Sequence, residues 1–144
     1  MHTLSCDAAM TMIAAARRCA EEMGRPMSFA VVDGGGHPVA LLRMDGASIL
    51  GATTVVGKAC TAVYCQRPTH VSVERARLFP EVYGSLANAT QPPMVMSMGG
   101  FPLYGRDEGI PIGGFASSGG SGEQDIEASQ AALAAWARLQ SATE

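Results

Sequence analysis

Two short apolar segments separated by a glycine-rich stretch constrain the fold of this chain more than any other feature. The segment MSFAVVD (27–33) is followed by GGGH (34–37) and then by PVALLRM (38–44). Glycines allow the backbone angles that a tight turn needs, and the flanking segments are apolar and partly β-branched. The pattern therefore predicts an antiparallel β-hairpin with its turn at 34–37.

Capping residues and apolar periodicity predict the helices. Ser5 is a good N-cap for a first helix that ends at Gly24, and Ser48 opens a second helix over 48–65. Ser121 and Gln124 form a capping-box pattern at the start of a last helix that runs to about residue 140. Two shorter helical segments are predicted at 70–78 and 80–88.

Three further strands are predicted at 94–100, 101–105 and 110–120, with a turn at 106–109 between the last two. The predicted order is α-β-β-α-α-β-β-β-α. Strands joined by tight turns favour a five-stranded, mainly antiparallel sheet with helices packed on it, which is an α+β fold. At 144 residues, the chain 1–144 is expected to form one domain.

Charge and composition exclude several classes of function. The formal net charge is −3 and no run of Lys or Arg occurs, so no nucleic-acid partner is expected. No apolar stretch predicts a membrane span, and the N-terminal residues lack signal-peptide features, so we expect a cytoplasmic protein. Only 16% of the residues are charged, which is low for a small monomer and predicts a homo-oligomer.

Glycines and a few charged residues are the candidates for a ligand site. The segment SSGGS (117–121) runs into a helix N-terminus, whose free N–H groups and dipole favour an anion. Lys58 is the only lysine and stands in an apolar helix, where it is either an edge residue or a charge in a pocket. Arg43 can bind a carboxylate or pair with Asp45, and Asp33 can form a turn or act as a base.

The histidines, at positions 2, 37 and 70, do not show the spacing of a multidentate metal site. A single histidine is nevertheless enough as the axial ligand of a haem. His37, in the predicted turn, is therefore a candidate iron ligand.

Four segments together resemble the GlcG/HbpS-like family of small haem-binding proteins, which also occurs as the C-terminal domain of a cobalamin adenosyltransferase. They are FAVVDGGGHPVALLRMDGA, KACTAV, GGFPL and SSGGSGEQD. The resemblance implies a profilin/PAS-like fold and dimers that assemble further. The residues that match the family pattern are Asp33, Gly35, Gly36, His37, Arg43, Asp45, Lys58, Thr61, Gly99, Gly100, Gly119, Gly120 and Asp125. Met98 and Phe101 depart from it, and the segment 67–93 matches little.

Two functional hypotheses follow from the resemblance. In the first, the protein binds haem or another carboxylate-bearing ligand. His37 is then the axial ligand, with Cys60, Cys65 and His70 as weaker candidates. The propionates bind Lys58, Arg43 and the loop of Ser117, Ser118, Gly119 and Gly120. The other residues predicted to bind the ligand are Gly35, Gly36, Asp45, Thr61, Gly99 and Gly100.

In the second hypothesis, the protein is a catabolic lyase, hydratase or isomerase that acts on a small oxo- or hydroxy-acid. Lys58 and Arg43 then bind the carboxylate, and Asp33 or His37 transfers the proton, or Lys58 itself acts as the base. A third possibility is an accessory protein whose pocket has no present activity.

Overall fold

The structure, a computed structural model, describes residues 4–106 and 109–142. In these ranges the chain forms five helices and four strands. The helices are α1 (Cys6–Met23), α2 (Ile49–Cys65), α3 (Thr69–Leu78), α4 (Pro80–Ala89) and α5 (Gly122–Ala142). The strands are β1 (Ser28–Asp33), β2 (Pro38–Arg43), β3 (Gly100–Leu103) and β4 (Gly113–Ser118).

The four strands form one antiparallel sheet in the order β2-β1-β4-β3. At one end of β1, Ser28 is paired with Arg43 of β2 and with Ser118 of β4. At the other end, Asp33 is paired with Gly113. The register between β1 and β2 shifts after Val31, just before the hairpin turn. The predicted hairpin is confirmed.

The two faces of the sheet are covered by different helices because side chains alternate along each strand. Phe29, Val31 and Phe115 join the residues of α1 and α5 in one apolar cluster, where the two phenylalanine rings lie 6.4 Å apart. Ala30 and Ala116 face the other side and pack with α2. The result is a layered α+β structure in which α2 covers one face of the sheet, and α1 and α5 cover the other.

The predicted caps are confirmed. The Ser5 hydroxyl accepts a hydrogen bond from Ala8 N, and Gly24 ends α1 with a φ of 66°. At the start of α5, Gln124 N donates to Ser121 Oγ and Ser121 N donates to Gln124 Oε1, the two bonds of a capping box.

The predicted fifth strand at 94–100 is wrong, because only Gly100 belongs to a strand and the described chain has three helices between β2 and β3. Backbone groups of this segment bond to side chains instead of a neighbouring strand. Val95 N donates to Thr61 Oγ1 of α2 at 2.8 Å, and Met94 N donates to Thr90 Oγ1 at 3.0 Å. The observed order is α-β-β-α-α-α-β-β-α.

The remaining boundaries differ only at the ends of elements. The strand predicted at 101–105 spans 100–103, and that predicted at 110–120 spans 113–118. The predicted turn at 106–109 includes residues 107 and 108, which lie outside the described residues. None of the helices in the described ranges is long and apolar enough to cross a membrane.

Small residues allow α2 to approach the sheet closely. A Cβ atom built on Gly114 would lie 2.6 Å from the carbonyl oxygen of Ala59 and 2.9 Å from a methyl group of Val63. On another side of α2, a Cβ on Gly57 would lie 2.7 Å from Pro93 O. The helix is thus held between the sheet and the segment 93–95, with no space for an added methyl group at these two positions.

We expect Gly114→Ala to lower the free energy of unfolding by about 1–3 kcal/mol, because the new methyl group would meet the backbone of α2. Gly84→Ala is the matched control, since Gly84 lies in α4 with open space around it and alanine favours a helix by up to about 1 kcal/mol. Urea unfolding of both variants measures the difference. Equal stability of the two variants would contradict the close packing described for α2.

Candidate functional site

A buried ion pair joins α2 to α5 at the end of β4. The ammonium of Lys58 donates to Asp125 Oδ2 at 3.0 Å and to the carbonyl oxygen of Ser117 at 2.7 Å. The other oxygen of Asp125 accepts a hydrogen bond from Gly120 N at 2.9 Å. Lys58 is 1% exposed and Asp125 5% exposed, so both charges depend on these partners.

Burial dominates the electrostatics of this pair. It lowers the pKa of Lys58 and raises the pKa of Asp125, and the attraction between the two groups opposes both shifts without cancelling them. Because each charge is deprived of water, each one needs the other to stay ionised.

Two glycines allow this pair to form. Gly99 has a φ of 105°, and a Cβ there would lie 2.6 Å from the Cβ of Asp125. A Cβ on Gly100 would lie 2.8 Å from the carbonyl oxygen of Lys58. The two predicted ligand-binding glycines therefore serve as contact points where β3 meets α2 and α5.

A hydroxyl network supports the same junction. Ser129 Oγ donates to Gly99 O at 2.7 Å and lies 2.8 Å from Ser117 Oγ. Because the single hydroxyl proton of Ser129 goes to Gly99, Ser117 is the donor in the second contact.

An open pocket of about 510 Å³ lies beside the ion pair. Its walls are the first turns of α2, the loop between β4 and α5, and the segment at 95–97. Arg25 also lines it, and Arg25 Nε donates to Gly119 O at 3.0 Å. The lining residues are Arg25, Ser48, Leu50, Gly51, Thr54, Lys58, Val95, Ser97, Ser118, Gly119, Gly120 and Asp125.

Ser118 is the unusual residue of this pocket. It is 4% exposed, and its hydroxyl has no hydrogen-bond partner in the part of the chain that the structure describes. Most buried hydroxyls in proteins are hydrogen-bonded, so an unpartnered one beside a pocket requires an explanation, such as a bound water, ion or ligand.

The hairpin turn forms a second cluster. Asp33 Oδ1 accepts hydrogen bonds from Gly35 N at 2.9 Å and His37 N at 3.0 Å, and it lies 3.4 Å from His37 Nδ1. Partial burial acts in the opposite direction, but these hydrogen bonds and the imidazole keep the pKa of Asp33 below its usual value. The side chain of His37 is 81% exposed. The turn thus presents an exposed imidazole whose Nδ1 faces the carboxylate of Asp33.

Cys60 of α2 forms a hydrogen bond that connects this turn to the helix. Its Sγ donates to Gly36 O at 3.1 Å, and burial raises the pKa of the thiol. Gly36 has a φ of 84°, and a Cβ there would lie 2.7 Å from the hydroxyl of Tyr64. Glycine is therefore required at this position by both conformation and space.

Two predicted binding residues, Arg43 and Thr61, make structural contacts outside the pocket. Arg43 is exposed and its Nε and Nη2 both donate to Ala47 O, at 3.2 and 3.0 Å, rather than to Asp45, which is also exposed. Thr61 donates to Gly57 O and accepts from Val95 N, so it ties the segment after α4 to α2.

The predicted residues therefore fall into two groups. Lys58 lies together with the segment 117–120, as expected, but Asp33 and His37 lie at the opposite end of β1. Five residue steps along the strand separate the two ends, which corresponds to about 16 Å. The expected gathering of Asp33, Arg43 and Lys58 around one pocket does not occur in the part of the chain that the structure describes.

Sequence reasoning did not select Arg25, Leu50 or Gly51 as site residues. Leu50 and Gly51 follow the N-cap Ser48, so the anion preference of a helix N-terminus could have indicated them. Arg25 gave no such signal, because its contact with Gly119 joins residues far apart in the sequence.

The other candidate iron ligands lie in less accessible surroundings. His70 packs against the ring of Phe101, with 5.8 Å between the ring centroids, and its Nδ1 is buried without a partner among the described residues. Cys65 is partly exposed at the end of α2. Over the ranges 4–106 and 109–142, no group of three His, Cys, Asp or Glu side chains is placed to hold a metal ion.

Comparison with known proteins matches residues 4–134 to the family described as "Haem degrading protein HbpS-like". The chain is 34% identical over 116 residues to the corrinoid adenosyltransferase PduO of Citrobacter freundii. That match covers 81% of this chain and 34% of the enzyme, so the chain corresponds to about a third of its length.

Two solved structures are similar over most of the chain. A double mutant of HbpS from Streptomyces reticuli is 31% identical, with a TM-score of 0.82, and the match covers 93% of this chain and 87% of that one. A PduOC:heme complex is 32% identical, also with a TM-score of 0.82, and the match covers 92% of this chain and 94% of that one. The protein belongs to the HbpS-like family, as the four sequence segments predicted.

We expect Lys58→Met to lower the free energy of unfolding by about 3–5 kcal/mol at neutral pH, because it leaves the carboxylate of Asp125 buried without a counter-charge. The double variant Lys58→Met/Asp125→Asn, which has neither charge, should be more stable than the single variant. Urea unfolding of both measures this difference.

The difference should also depend on pH. Burial raises the pKa of Asp125, so in Lys58→Met the folded state takes up a proton before the unfolded state does. The stability of the single variant relative to the double should therefore increase as the pH falls from 7 toward about 4. A difference that stays constant over this range would contradict the buried, unpaired carboxylate.

Proposed function

We propose that this protein is a cytoplasmic haem-binding protein in which His37 is the axial ligand of the iron. The observation that carries the proposal is the geometry of the turn, where Nδ1 of His37 faces the carboxylate of Asp33 and leaves Nε2 available on an exposed side chain. Histidines that bind metals commonly have such a carboxylate on their other ring nitrogen. Haem, when bound, would supply the redox and ligand-binding chemistry of its iron.

The turn is well suited to hold the ligand in place. Asp33 N donates to His37 O at 2.8 Å, and Gly36 N donates to Asp33 O at 3.0 Å. With the two bonds to the carboxylate, these contacts fix the backbone on both sides of the imidazole. Membership of the HbpS-like family and the similarity to a PduOC:heme complex support the same ligand. All four cysteines are free thiols, in agreement with a reducing compartment.

The enclosure of the haem must come from more than one chain. A porphyrin needs apolar walls, and His37 alone presents an exposed side chain on a turn. We therefore propose that the protein is a homo-oligomer, a dimer or an assembly of dimers. Four exposed apolar side chains on and between α3 and α4 support this: Leu78, Phe79, Val82 and Leu86.

The alternative hypothesis of a small-acid enzyme is less well supported in the form predicted from the sequence. It required a proton-transfer group, Asp33 or His37, beside the carboxylate-binding Lys58. These residues lie at opposite ends of β1 within one protomer. The ammonium of Lys58 is also bonded to Asp125 and Ser117, which opposes its action as a free base.

Titration of the purified, metal-free protein with hemin tests the proposal. We expect a saturable shift of the Soret band that is lost in His37→Ala. Because the side chain is exposed, this substitution should change the free energy of unfolding by no more than about 0.5 kcal/mol. Asp33→Asn should retain the shift but weaken haem binding about ten-fold, since it removes the charge that faces Nδ1.

His70→Gln is the matched control, because it removes the other histidine that the structure describes and should leave the Soret shift unchanged. If His37→Ala binds hemin as the unchanged protein does, His37 is not the ligand. Loss of the shift in His70→Gln alone would assign the iron to His70 instead.

The oligomer is tested separately by sedimentation. Replacing two of the exposed apolar residues, in Phe79→Ser/Val82→Ser, should shift the protein toward a smaller species. Leu41→Ser, at an exposed position on the edge strand β2, is the control. A sedimentation coefficient unchanged by the double substitution would place the interface elsewhere.

A further inference from the structure

The pocket beside Lys58 does not serve the iron of the haem proposed above. The described residues that line it include no histidine, cysteine, methionine or tyrosine, so an iron atom would find none of its usual side-chain ligands there. The pocket also lies about 16 Å along β1 from the turn that carries His37. Its chemistry therefore needs a separate explanation.

The electrostatics of the pocket favour an anion. Arg25, Lys58 and Asp125 are the charged residues among its described walls, which gives a net charge of +1. Both oxygens of Asp125 are already occupied, one by Lys58 Nζ and one by Gly120 N. The carboxylate is thereby screened, while the guanidinium of Arg25 uses its Nε on Gly119 O and keeps its two terminal nitrogens for other acceptors.

Three hydrogen-bond donors from α2 and β4 meet in this pocket. An ammonium group has three N–H donors, and Lys58 uses two of them, on Ser117 O and Asp125. The Ser48 hydroxyl caps Gly51 N, so the N–H of Leu50 in the first turn of α2 keeps no partner within the helix. The hydroxyl of Ser118, a residue only 4% exposed, is the third free donor among the described residues.

We propose that this pocket binds a small monocarboxylic acid, at a site separate from that of the haem. The carboxylate would accept hydrogen bonds from Ser118 Oγ, Lys58 Nζ and the N–H of Leu50, and Arg25 would face it from the solvent side. The side chains of Leu50 and Val95 line the same pocket and would contact a short alkyl group. Ser97, which also lines it, would contact a hydroxyl substituent.

A titration of the haem-free 144-residue chain, followed by the amide signals in NMR spectra, tests this site. The probes are acetate and L-lactate, with acetamide and lactamide as uncharged controls of the same shape. We expect saturable shifts with the two acids and none with the amides. Arg25→Gln should weaken lactate binding about ten-fold or more, because a charge and a planar donor pair are lost.

Ser118→Ala and Ser28→Ala form a matched pair. Both serines are buried with unpartnered hydroxyls among the described residues, and they face each other across β1 and β4, but only Ser118 lines the pocket. Ser118→Ala should weaken lactate binding about ten-fold, since a hydrogen bond to a charged group is lost, and Ser28→Ala should leave it within about two-fold.

The outcomes separate this proposal from the haem proposal. His37→Ala should bind lactate as the unchanged protein does, and Arg25→Gln should bind hemin as the unchanged protein does. Absence of saturable lactate binding would overturn the carboxylate site. So would binding of lactamide as tight as that of lactate, or equal effects of Ser118→Ala and Ser28→Ala.

Discussion

The contact between Lys58 and Asp125 determines how the layers of this molecule are connected. Lys58 belongs to α2, on one face of the sheet, and Asp125 belongs to α5, which packs on the other face with α1. The ammonium also bonds to a carbonyl group near the end of β4, at Ser117. One buried charge pair thus links both helical layers and the sheet. The glycines at 99 and 100 leave the room that this contact needs.

The same strands separate two candidate sites of different chemistry. The hairpin end of β1 presents an exposed imidazole beside a carboxylate, which suits a transition metal. The opposite end opens on a pocket of N–H and O–H donors with a net positive charge, which suits a carboxylate. Strands β1 and β4 and helix α2 contribute to both ends, so only substitutions of exposed side chains such as His37 are expected to leave the other end undisturbed.

Local signals in the sequence predicted most elements of this fold. The capping interactions at Ser5, Gly24 and Ser121 join residues only a few positions apart, so they can be recognised directly in the sequence. The prediction of a strand at 94–100 was wrong although the apolar composition of this segment suits a strand. Its backbone N–H groups bond instead to the side chains of Thr61 and Thr90. Lys58 and the segment 117–120 were correctly placed together. The position of Asp33 and His37 relative to them depends on how β1 pairs with β4. This pairing joins residues far apart in the sequence, so the residue types alone do not predict it.

The burial of Lys58 has a practical consequence for how this molecule can be observed. It is the only lysine in the sequence, and it is 1% exposed. Reagents that modify side-chain amines need a free, uncharged amine, so they react with Lys58 only when its bond to Asp125, which joins α2 to α5, is broken. The rate of its modification therefore reports the opening of the junction between the layers. A single native side chain thus makes this opening measurable without an engineered labelling site.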